Sequence, residues 1–590
     1  MNDSTGSNLF RSEVREGMRI DWDVPLEMDD GNVLRANVYR PDAPGRYPVI
    51  LSHGPYGKDL AWQDGYSSTW KLFSEAHPEA LAASSNIHQS WETVDPELWV
   101  ADGYVCIRVD SRGAGRSPGL LELRDRREIA DFAACIEWAA AQPWSNGKVG
   151  LNGISYYAIA QWFVAALAPK GLAAMCAWEG SNDYYRESTH QGGILCTFAT
   201  NWYDRQVKSV QHGYGTRGRK SRVHGEWVGG PETLSDEELA RNRVDLGREV
   251  RTRPLIDDWY RERIADMSKV RTPFLSAANW GGQGLHPRGN FNAFMHAATP
   301  DKWLEAHGLE HWTEFYTPYG VELQKRFFGH FLKGEDTGWD RQPRVQLKVR
   351  HADETFVVRG EDEWPLARTQ WTKVFLDPAH MALGAAPPAA AASHAYDGFG
   401  DGATFLLPPW EREVELTGPM AAKLFVSSAT EDADLFLVVR LFAPDLREVT
   451  FKGTIDPHTP LAQGWLRASH RKLDPARSTP WQPWHTHDEV WKLTPGQIYE
   501  LDIEIWPTCI VVPPGWRIGL TVRGKDYVWP GAETGGPTLN NFAKPLTGCG
   551  PFLHDDPEDR PEAVFGGKVM LHAGPRHPSH LLLPVVPPKG

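Results

Sequence analysis

The chain has 590 residues, of which 41% are hydrophobic and 23% are charged, and its net charge is −14. This length is too great for one hydrophobic core, so we expect a globular protein of two or three domains. Because there is no basic stripe, the composition excludes a nucleic-acid backbone as partner, and no apolar run reaches the ~20 residues that span a bilayer.

The first part of the chain alternates predicted strands and helices. Short apolar segments bounded by turn residues predict strands, and apolar residues at helical spacing predict helices. We expect strands over residues 33–40, 48–51, 104–109, 148–151 and 172–178, and helices over residues 124–141 and 156–168. This alternation is typical of a parallel sheet, so residues 1–182 are predicted to begin an α/β domain.

Residues 183–268 interrupt the alternation. They are rich in Trp, Tyr, Arg and Glu and include a helical stretch over residues 236–251, which is typical of a helical cap inserted into the α/β domain. The alternation resumes over residues 269–345, with strands expected over 273–278 and 303–306 and helices over 291–298 and 322–332.

Residues 346–590 have an all-β pattern. Strands are expected over residues 371–376, 422–428, 435–442, 498–505 and 517–523, with turn signals between them. The Ala-, Pro- and Gly-rich stretch 377–403 is interpreted as a long loop. This pattern favours a β-sandwich or a β jelly roll as the C-terminal domain.

The N-terminus and the cysteines favour a cytoplasmic location. The first 17 residues are polar and lack the apolar region of a secretory signal. The six cysteines are widely spaced, with neither metal-ligand spacing nor a disulfide framework, so we expect no metal site built from them.

Ser155 is the candidate nucleophile. It follows the predicted strand at Gly153-Ile154 and precedes an apolar helix, and a serine on such a tight turn has an exposed Oγ. The following N–H then points to the place where an oxyanion forms. The pattern lacks the second glycine of Gly-x-Ser-x-Gly, because Tyr157 occupies that position. The alternative is that Ser155 only caps the helix.

Several motifs resemble one family. The run Gln142 to Gly150, followed by Gly153-Ile154-Ser155-Tyr156 and Gln161-Trp162, resembles the cocaine-esterase/X-prolyl dipeptidyl peptidase (CocE/NonD) family of serine hydrolases. The loop Gly54 to Lys58 resembles its Pro-Tyr motif, and Asp110 to Ser117 resembles its Asp-x-Arg-Gly-x-Gly-x-Ser motif. Further similarity lies at Leu416 to Pro419, Gly464 to Ala468, Pro507-Thr508 and Trp516 to Ile518.

The resemblance implies an α/β-hydrolase domain, a helical cap and a C-terminal jelly roll that together hydrolyse esters or amides without a cofactor. Ser155 would form an acyl-enzyme that water then cleaves. Tyr56 matches the family's tyrosine, so its hydroxyl and the Tyr156 backbone N–H would form the oxyanion hole. The alternative for Tyr56 is a buried core tyrosine. The family's glycine three residues after the serine is Ala158 here.

The resemblance places the catalytic histidine at His311, after the strand expected at Trp303 to Ala306. His307 is its competitor, and His286 and His296 are weaker ones. A general base must be neutral to accept the serine proton, so we expect it in a partly buried cleft. The alternative is a structural histidine.

The position of the catalytic acid differs from the family pattern. The family's aspartate falls on Gly282, and no carboxylate occurs between Ala278 and Thr299. Glu179, at the end of the preceding strand, is the first candidate and Asp183 the second, because a carboxylate there can reach the same histidine. Glu310 is adjacent to the histidine in sequence, which makes the orienting hydrogen bond awkward. For Glu179 the alternative is a salt-bridged rim residue.

The main functional hypothesis is therefore a carboxylesterase or amidase that acts on a small-molecule substrate. An X-Pro dipeptidyl aminopeptidase would need acids that clamp the substrate amine, for which the cap offers Glu187, Glu238 and Asp257. Acyl transfer and a non-catalytic, ligand-binding protein remain open, as does homo-oligomer formation. An aromatic-lined pocket is a further hypothesis, based on the 26 tryptophans and on residues Trp62, Trp70, His88 and Trp91.

Overall fold

The computed structural model describes residues 10–532 and 544–589. In this part of the chain a mixed 11-stranded sheet contains the strands β1 (Arg11–Arg15), β2 (Met18–Glu27), β3 (Val33–Pro41), β4 (Tyr47–Gly54), β5 (Val105–Asp110), β6 (Ser145–Ile154), β7 (Leu172–Trp178), β10 (Phe274–Asn279), β11 (Lys302–His307), β12 (Val345–Arg350) and β13 (Phe356–Glu361). The order across the sheet is β1-β2-β3-β5-β4-β6-β7-β10-β11-β12-β13.

The centre of this sheet is parallel. Strands β5, β4, β6, β7, β10, β11 and β12 pair in parallel, whereas β1, β2, β3 and β13 add antiparallel edges. In a parallel sheet the carboxyl ends of the strands lie at one edge, where ligands bind. The loops after β4, β6, β7, β10 and β11 therefore meet there.

Helices cover the sheet and fill the connections between strands. The helices are α1 (Trp62–Gly65), α2 (Ser67–Ala76), α3 (Pro96–Val100), α4 (Arg126–Ala141), α5 (Tyr156–Ala165), α6 (Phe198–Trp202), α7 (Asp236–Arg241), α8 (Leu246–Arg251), α9 (Asp258–Arg261), α10 (Pro287–His296), α11 (Thr313–Tyr316), α12 (Pro318–Phe328) and α13 (Glu562–Phe565). Every residue of α5 is buried, because this helix packs in the core beside β6 and β7. Within the described ranges, no helix is both long and apolar enough to cross a membrane.

Residues 183–268 consist mainly of short helices and the loops between them. The stretch 236–251, expected as one helix, forms α7 and α8, and each begins at its own capping side chain, Ser235 and Asp245. A small hairpin, β8 (His190–Gln191) with β9 (Ile194–Leu195), lies in the same segment.

The C-terminal sheet is barrel-like. Its strands are β14 (Gln370–Asp377), β15 (Ala382–Gly384), β16 (Ala392–Asp397), β17 (Ala403–Leu406), β18 (Val414–Ser428), β19 (Asp434–Phe442), β20 (Glu448–Val449), β21 (Ala462–Arg467), β22 (Tyr499–Val512), β23 (Arg517–Arg523), β24 (Lys568–Ala573) and β25 (His580–Val586). The sheet closes because β25 pairs with both β14 and β18. Leu, Val and Ile side chains from its strands form a separate core.

Two details differ from the sequence expectations. The first sheet continues beyond residue 345, where the C-terminal domain is expected to begin, because β12 pairs with β11 and β13 pairs with β12, and the second sheet begins at Gln370. The stretch 377–403 is not one long loop, since it contains β15 and β16 and ends at the first residue of β17. These strands are short and rich in Ala, without the apolar alternation that predicts a strand.

Candidate active site

Ser155 lies on the sharp turn between β6 and α5. Its φ of 54° and ψ of −116° are strained values for a residue with a side chain, as expected at a nucleophile turn. The turn is held by the Ser155 N–H, which donates to the carbonyl of Trp178 (3.0 Å). Gly153 is required before it, because a Cβ there would meet Tyr157 Cβ at 2.4 Å. The turn leaves Ser155 half-buried at the carboxyl edge of the sheet.

The histidine in contact with Ser155 is His286. Its Nε2 lies 3.1 Å from Ser155 Oγ, and the side chain is buried in the loop between β10 and α10. This corrects the predicted contact, in which His311 was to receive the serine proton. The Nδ1 atom of His286 is buried without a hydrogen-bond partner among the described residues, and Glu179 Oε2 is 3.8 Å away.

His311 lies behind His286, between two carboxylates. Its Nδ1 is 2.7 Å from Glu179 Oε2, and its Nε2 is 2.8 Å from Glu92 Oε1. Its ring stacks on that of His286, with ring centroids 5.1 Å apart and planes within 10°. Both nitrogens of His311 therefore face acids, and this pairing is the physical reason why the predicted contact with Ser155 is not made.

Glu179 joins the histidines, as its position at the end of β7 predicted. Besides His311, its Oε1 lies 3.1 Å from Asn279 Nδ2 and 3.4 Å from His307 Nε2. His307 is bound on its other side by Glu305, with Nδ1 and Oε2 2.6 Å apart. Glu179 is thus buried among cationic and donor groups and is not a salt-bridged rim residue.

The other acid candidates lie elsewhere. Asp183 pairs with Arg186 at 2.6 Å, and Glu310 lies 3.2 Å from Lys452 Nζ. Gly282 is packed against Pro287 and Thr454, where an added Cβ would have contacts of 3.0 and 3.1 Å.

Glu92 is a site residue that the sequence reasoning missed. It lies in the insertion after β4, and its backbone carbonyl accepts from the Ile154 N–H, next to the nucleophile turn (3.0 Å). No motif surrounds Glu92, and only the fold brings it to His311. The insertion also brings Trp91, whose ring centroid lies 6.1 Å from that of His311. Trp62 is fully buried against Trp70 and Trp91 and packs in the core.

The charges of this cluster are set by burial and pairing. Burial lowers the pKa of His286 well below its usual value, and the neighbouring charge of His311 lowers it further, so His286 is neutral. Burial also opposes the charge on His311, but Glu179 and Glu92 outweigh it and raise the pKa of His311 to about 10. Burial alone would raise the pKa of Glu179, but His311 and His307 hold it well below its usual range. For Glu92, burial prevails over His311 and raises the pKa to about 7.

The protonation states of the two histidines decide which of them is able to act as a base. A neutral imidazole has a lone pair that accepts a proton, whereas an imidazolium has none. His286 is neutral and in contact with Ser155, while His311 is a cation at neutral pH. The geometry and the charges therefore favour His286.

Tyr56 packs against the two residues that follow the nucleophile, with its ring centroid 6.2 Å from that of Tyr156 and 5.7 Å from that of Tyr157. Tyr56 Oη accepts from Trp202 Nε1 (3.0 Å), which leaves its own proton free to be donated. Burial raises the pKa of Tyr56 well above 10, so it remains a neutral donor. Tyr156 is the first residue of α5, where a backbone N–H has no partner within the helix. Its side chain donates to Glu128 Oε2 (2.6 Å).

The loop Gly54 to Lys58, which contains Tyr56, is held in place by Asp110, the first residue of the segment Asp110 to Ser117. Asp110 accepts from the backbone N–H of Lys58 (2.5 Å) and from that of Arg116 (2.9 Å). The two loops that resemble family motifs thus hold each other in place.

The C-terminal domain contacts both histidine loops. The His311 N–H donates to the carbonyl of Thr454 (2.9 Å), and the Thr454 N–H donates to the carbonyl of Gly281 (3.2 Å). The approach is so close that a Cβ on Gly281 would lie 2.5 Å from the Lys452 carbonyl oxygen. Gly281 therefore has no room for a side chain.

One group in the described part of the chain has the geometry to hold a metal ion: Glu179, His286 and His311 each present a ligand atom within 4.8 Å of the others. A metal there would have to displace a proton from His311, which holds one proton toward each of its two acids. We therefore interpret the group as a proton-holding cluster.

Comparisons with known proteins identify the relatives of this chain. Residues 30–313 match the family profile "X-Pro dipeptidyl-peptidase (S15 family)", and residues 337–582 match "X-Pro dipeptidyl-peptidase C-terminal non-catalytic domain". The chain is 25% identical to the cocaine esterase of Rhodococcus sp. (strain MB1 Bresler), covering 95% of this chain and 98% of that protein. It is 24% identical to a putative Xaa-Pro dipeptidyl-peptidase of Streptomyces avermitilis, over 90% and 82% of the two chains.

A solved structure provides a nearer relative. The crystal structure of a CocE/NonD family hydrolase from Staphylococcus aureus is 32% identical, covers 97% of this chain and 94% of its own, and superposes with a TM-score of 0.83. The fold and these relatives define a serine hydrolase of esters or amides. Within that class, the chain belongs to the CocE/NonD family.

Proposed function

We propose that Ser155 is the nucleophile of an ester hydrolase, with His286 as its general base and Glu179 as the acid of the triad. The hydrogen bond of 3.1 Å between Ser155 Oγ and His286 Nε2 carries this assignment. A nucleophile within hydrogen-bond reach of a base, with a carboxylate on the other side of the base, is the arrangement that activates a serine.

The reaction follows from these positions. Ser155 Oγ attacks the substrate carbonyl carbon and His286 Nε2 takes its proton, so that a tetrahedral oxyanion forms between the Tyr56 hydroxyl and the Tyr156 N–H. When the oxyanion collapses, His286 gives the proton to the leaving alcohol, and an acyl-enzyme remains on Ser155. Water, deprotonated by the same histidine, then releases the acid.

Glu179 supports the proton transfer electrostatically. The distance of 3.8 Å between Glu179 Oε2 and His286 Nδ1 is too long for a hydrogen bond in the resting site. Once His286 carries a second proton, its charge is attracted to this carboxylate, and such contacts often tighten only in the reacting complex. Glu179 thereby offsets the charge that develops on His286.

The cap acids favour an esterase over an X-Pro aminopeptidase. Glu187 pairs with Arg288 at 2.9 Å, and Asp257 pairs with Arg253. Glu238 is bound to Ser235 in the capping box of α7. Because each acid already has a partner, none of these candidates is free to clamp a substrate amine.

For the architecture, we propose an α/β-hydrolase domain with residues 183–268 as its cap and a jelly roll as the C-terminal domain. The parallel strands that meet at Ser155 support the first assignment. The closure of the second sheet through β18 and β25 supports the last.

Labelling with a fluorophosphonate probe tests the nucleophile. We expect the wild-type protein to be labelled, Ser155→Ala to take no label, and Glu179→Gln to be labelled far more slowly. Folding of each variant is checked by circular dichroism. A folded wild-type protein that takes no label would favour a non-catalytic, ligand-binding role.

A further inference from the structure

Arg124 is a buried cation at the edge of the candidate active site. It lies just before α4, is 5% exposed, and its guanidinium carbon is 5.0 Å from the centre of the Tyr156 ring. The same carbon lies 4.4 Å from the ring of Tyr184 and 5.7 Å from that of Trp202. Three aromatic rings thus surround the guanidinium.

Within the described part of the chain, two of the three guanidinium nitrogens of Arg124 lack a hydrogen-bond partner. The Nε and Nη1 atoms of Arg124 are buried without a partner at hydrogen-bond geometry in residues 10–532 and 544–589, and so is the Tyr184 hydroxyl, which Arg124 influences electrostatically. Within that part of the chain, no carboxylate forms an ion pair with Arg124 within 4.0 Å. A buried charge without a partner is strongly unfavourable, and so are buried donors left unsatisfied.

Glu128 is an acid close enough to interact with Arg124, and it offsets the charge of the guanidinium only in part. Its Oε2 is taken by the Tyr156 hydroxyl and by the backbone N–H of Arg124 (both 2.6 Å). Burial raises the pKa of Glu128 to about 7, so it is partly protonated at neutral pH. Glu128 therefore leaves part of the positive charge beside it unbalanced.

The position of Arg124 links it to the chemistry. Tyr156, under the guanidinium, follows Ser155 directly and supplies an oxyanion N–H, and Trp202 holds the Tyr56 hydroxyl. The charge of Arg124 also reaches His286 and contributes to the low pKa of that histidine. A substrate bound at Ser155 thus lies close to an unpaired cation.

We propose that Arg124 and the Tyr184 hydroxyl bind a carboxylate carried by the substrate, so that the enzyme prefers esters of dicarboxylic acids in which one carboxyl group remains free. This inference rests on the proposed function of Ser155. An incoming carboxylate supplies the missing acceptors and the missing charge, and charge-assisted hydrogen bonds of this kind are the strong ones. Arginine suits such recognition because its planar donors match a carboxylate.

The test compares matched esters. The mono-p-nitrophenyl esters of glutaric and adipic acid are hydrolysed beside p-nitrophenyl pentanoate and hexanoate, and the ratio of kcat/KM, charged over uncharged, is measured. We expect a ratio above one in the wild-type protein. Arg124→Gln lowers it by about 30-fold or more, because truncating one partner of a buried charge pair has an effect of that order. Arg124→Lys lowers it less, since the charge remains.

Arg126→Gln is the matched control. Arg126 lies two residues further along the chain, and its side chain is 82% exposed beside Glu262, so its loss leaves the ratio unchanged. If Arg124→Gln does not fold, inhibition of the wild-type enzyme by adipate and by hexanoate gives the answer, and adipate should inhibit at least tenfold more strongly. A ratio of one or less in the wild-type protein, or equal inhibition by both acids, overturns the inference.

The outcomes also separate this inference from the proposed function. If the uncharged esters are hydrolysed in a manner that depends on Ser155 but without charge preference, only the role of Arg124 is refuted. If Ser155→Ala hydrolyses all four esters as fast as the wild-type protein, the hydrolase assignment itself fails.

Discussion

The contrast between His286 and His311 gives the sharpest prediction. Replacing His286 by Ala removes the base in contact with Ser155, and kcat/KM for p-nitrophenyl acetate should fall by about 10⁴-fold, or about 5.4 kcal/mol of transition-state stabilisation. Replacing His311 by Gln leaves that contact in place. It removes the cation between Glu179 and Glu92, so the main loss should be in stability.

The expected cost of the second substitution follows from the burial of its partners. Glu179 is 1% exposed and Glu92 is 3% exposed, so both carboxylates would be left without their shared partner. Breaking a buried pair of this kind costs about 3–5 kcal/mol. Because Glu92 can take up a proton and lose its charge, we expect a loss of unfolding free energy near the lower end of this range. Through misalignment of Glu179, activity should fall only about 10- to 100-fold.

Two measurements decide between the histidines. Steady-state hydrolysis of p-nitrophenyl acetate gives kcat/KM, and urea denaturation gives the free energy of unfolding for both variants. The reasoning is refuted if His311→Gln abolishes activity while remaining as stable as the wild-type protein. It is equally refuted if His286→Ala keeps a tenth of the activity.

Three further predictions concern the surrounding groups. Tyr56→Phe should lower kcat by about 10²–10³-fold with little change in KM, whereas Tyr66→Phe, a buried neighbour outside the oxyanion hole, should not. Burial raises the pKa of Glu92 to about 7, so the folded protein binds the proton of this carboxyl group more tightly than the unfolded chain does. The stability that this proton contributes is therefore present at low pH and is lost as pH rises from 4.5 to 7. Denaturation at pH 5 and pH 8 should therefore show the wild-type protein losing up to about 3 kcal/mol relative to Glu92→Gln over this interval. Dialysis against EDTA should leave kcat unchanged, and a loss restored by a divalent ion would show that Glu179 and His286 hold a metal.

The sequence predicted the parts of the site that depend on local structure. The order of a strand, a tight turn and an apolar helix predicts the turn at Ser155, whereas its role as nucleophile was inferred also from the resemblance to the family. Glu179 was found because parallel strands end at a common edge, so the residue after β7 had to lie near the residues that follow β10 and β11.

The sequence could not determine which histidine meets Ser155. Alignment places His311 at the family's position, but position in an alignment does not give the direction of a side chain. His286 comes from the loop that holds the aspartate in the family, and here that loop has Gly282 in place of the acid. With the acid supplied by Glu179, His311 turns to it, and His286 occupies the space beside Ser155.

Non-local contacts explain the other features that the sequence did not predict. Glu92 reaches the site only because the insertion after β4 folds back on the turn before Ser155. The C-terminal sheet closes through β25, whose partners lie more than 150 residues earlier. Neither contact leaves a periodic signal in the sequence.

The hydrogen bonds of Thr454 bear on how this enzyme can be shortened or recombined. The C-terminal region carries the name of a non-catalytic domain, yet its backbone holds the loops of His286 and His311 against each other. A truncated protein that ends at residue 345 would retain Ser155, both histidines and Glu179, but it would lose the clamp between the two loops. If His286 is the base, we expect that exchanging the C-terminal domain for that of a relative changes the alignment of this histidine as well as the outer surface.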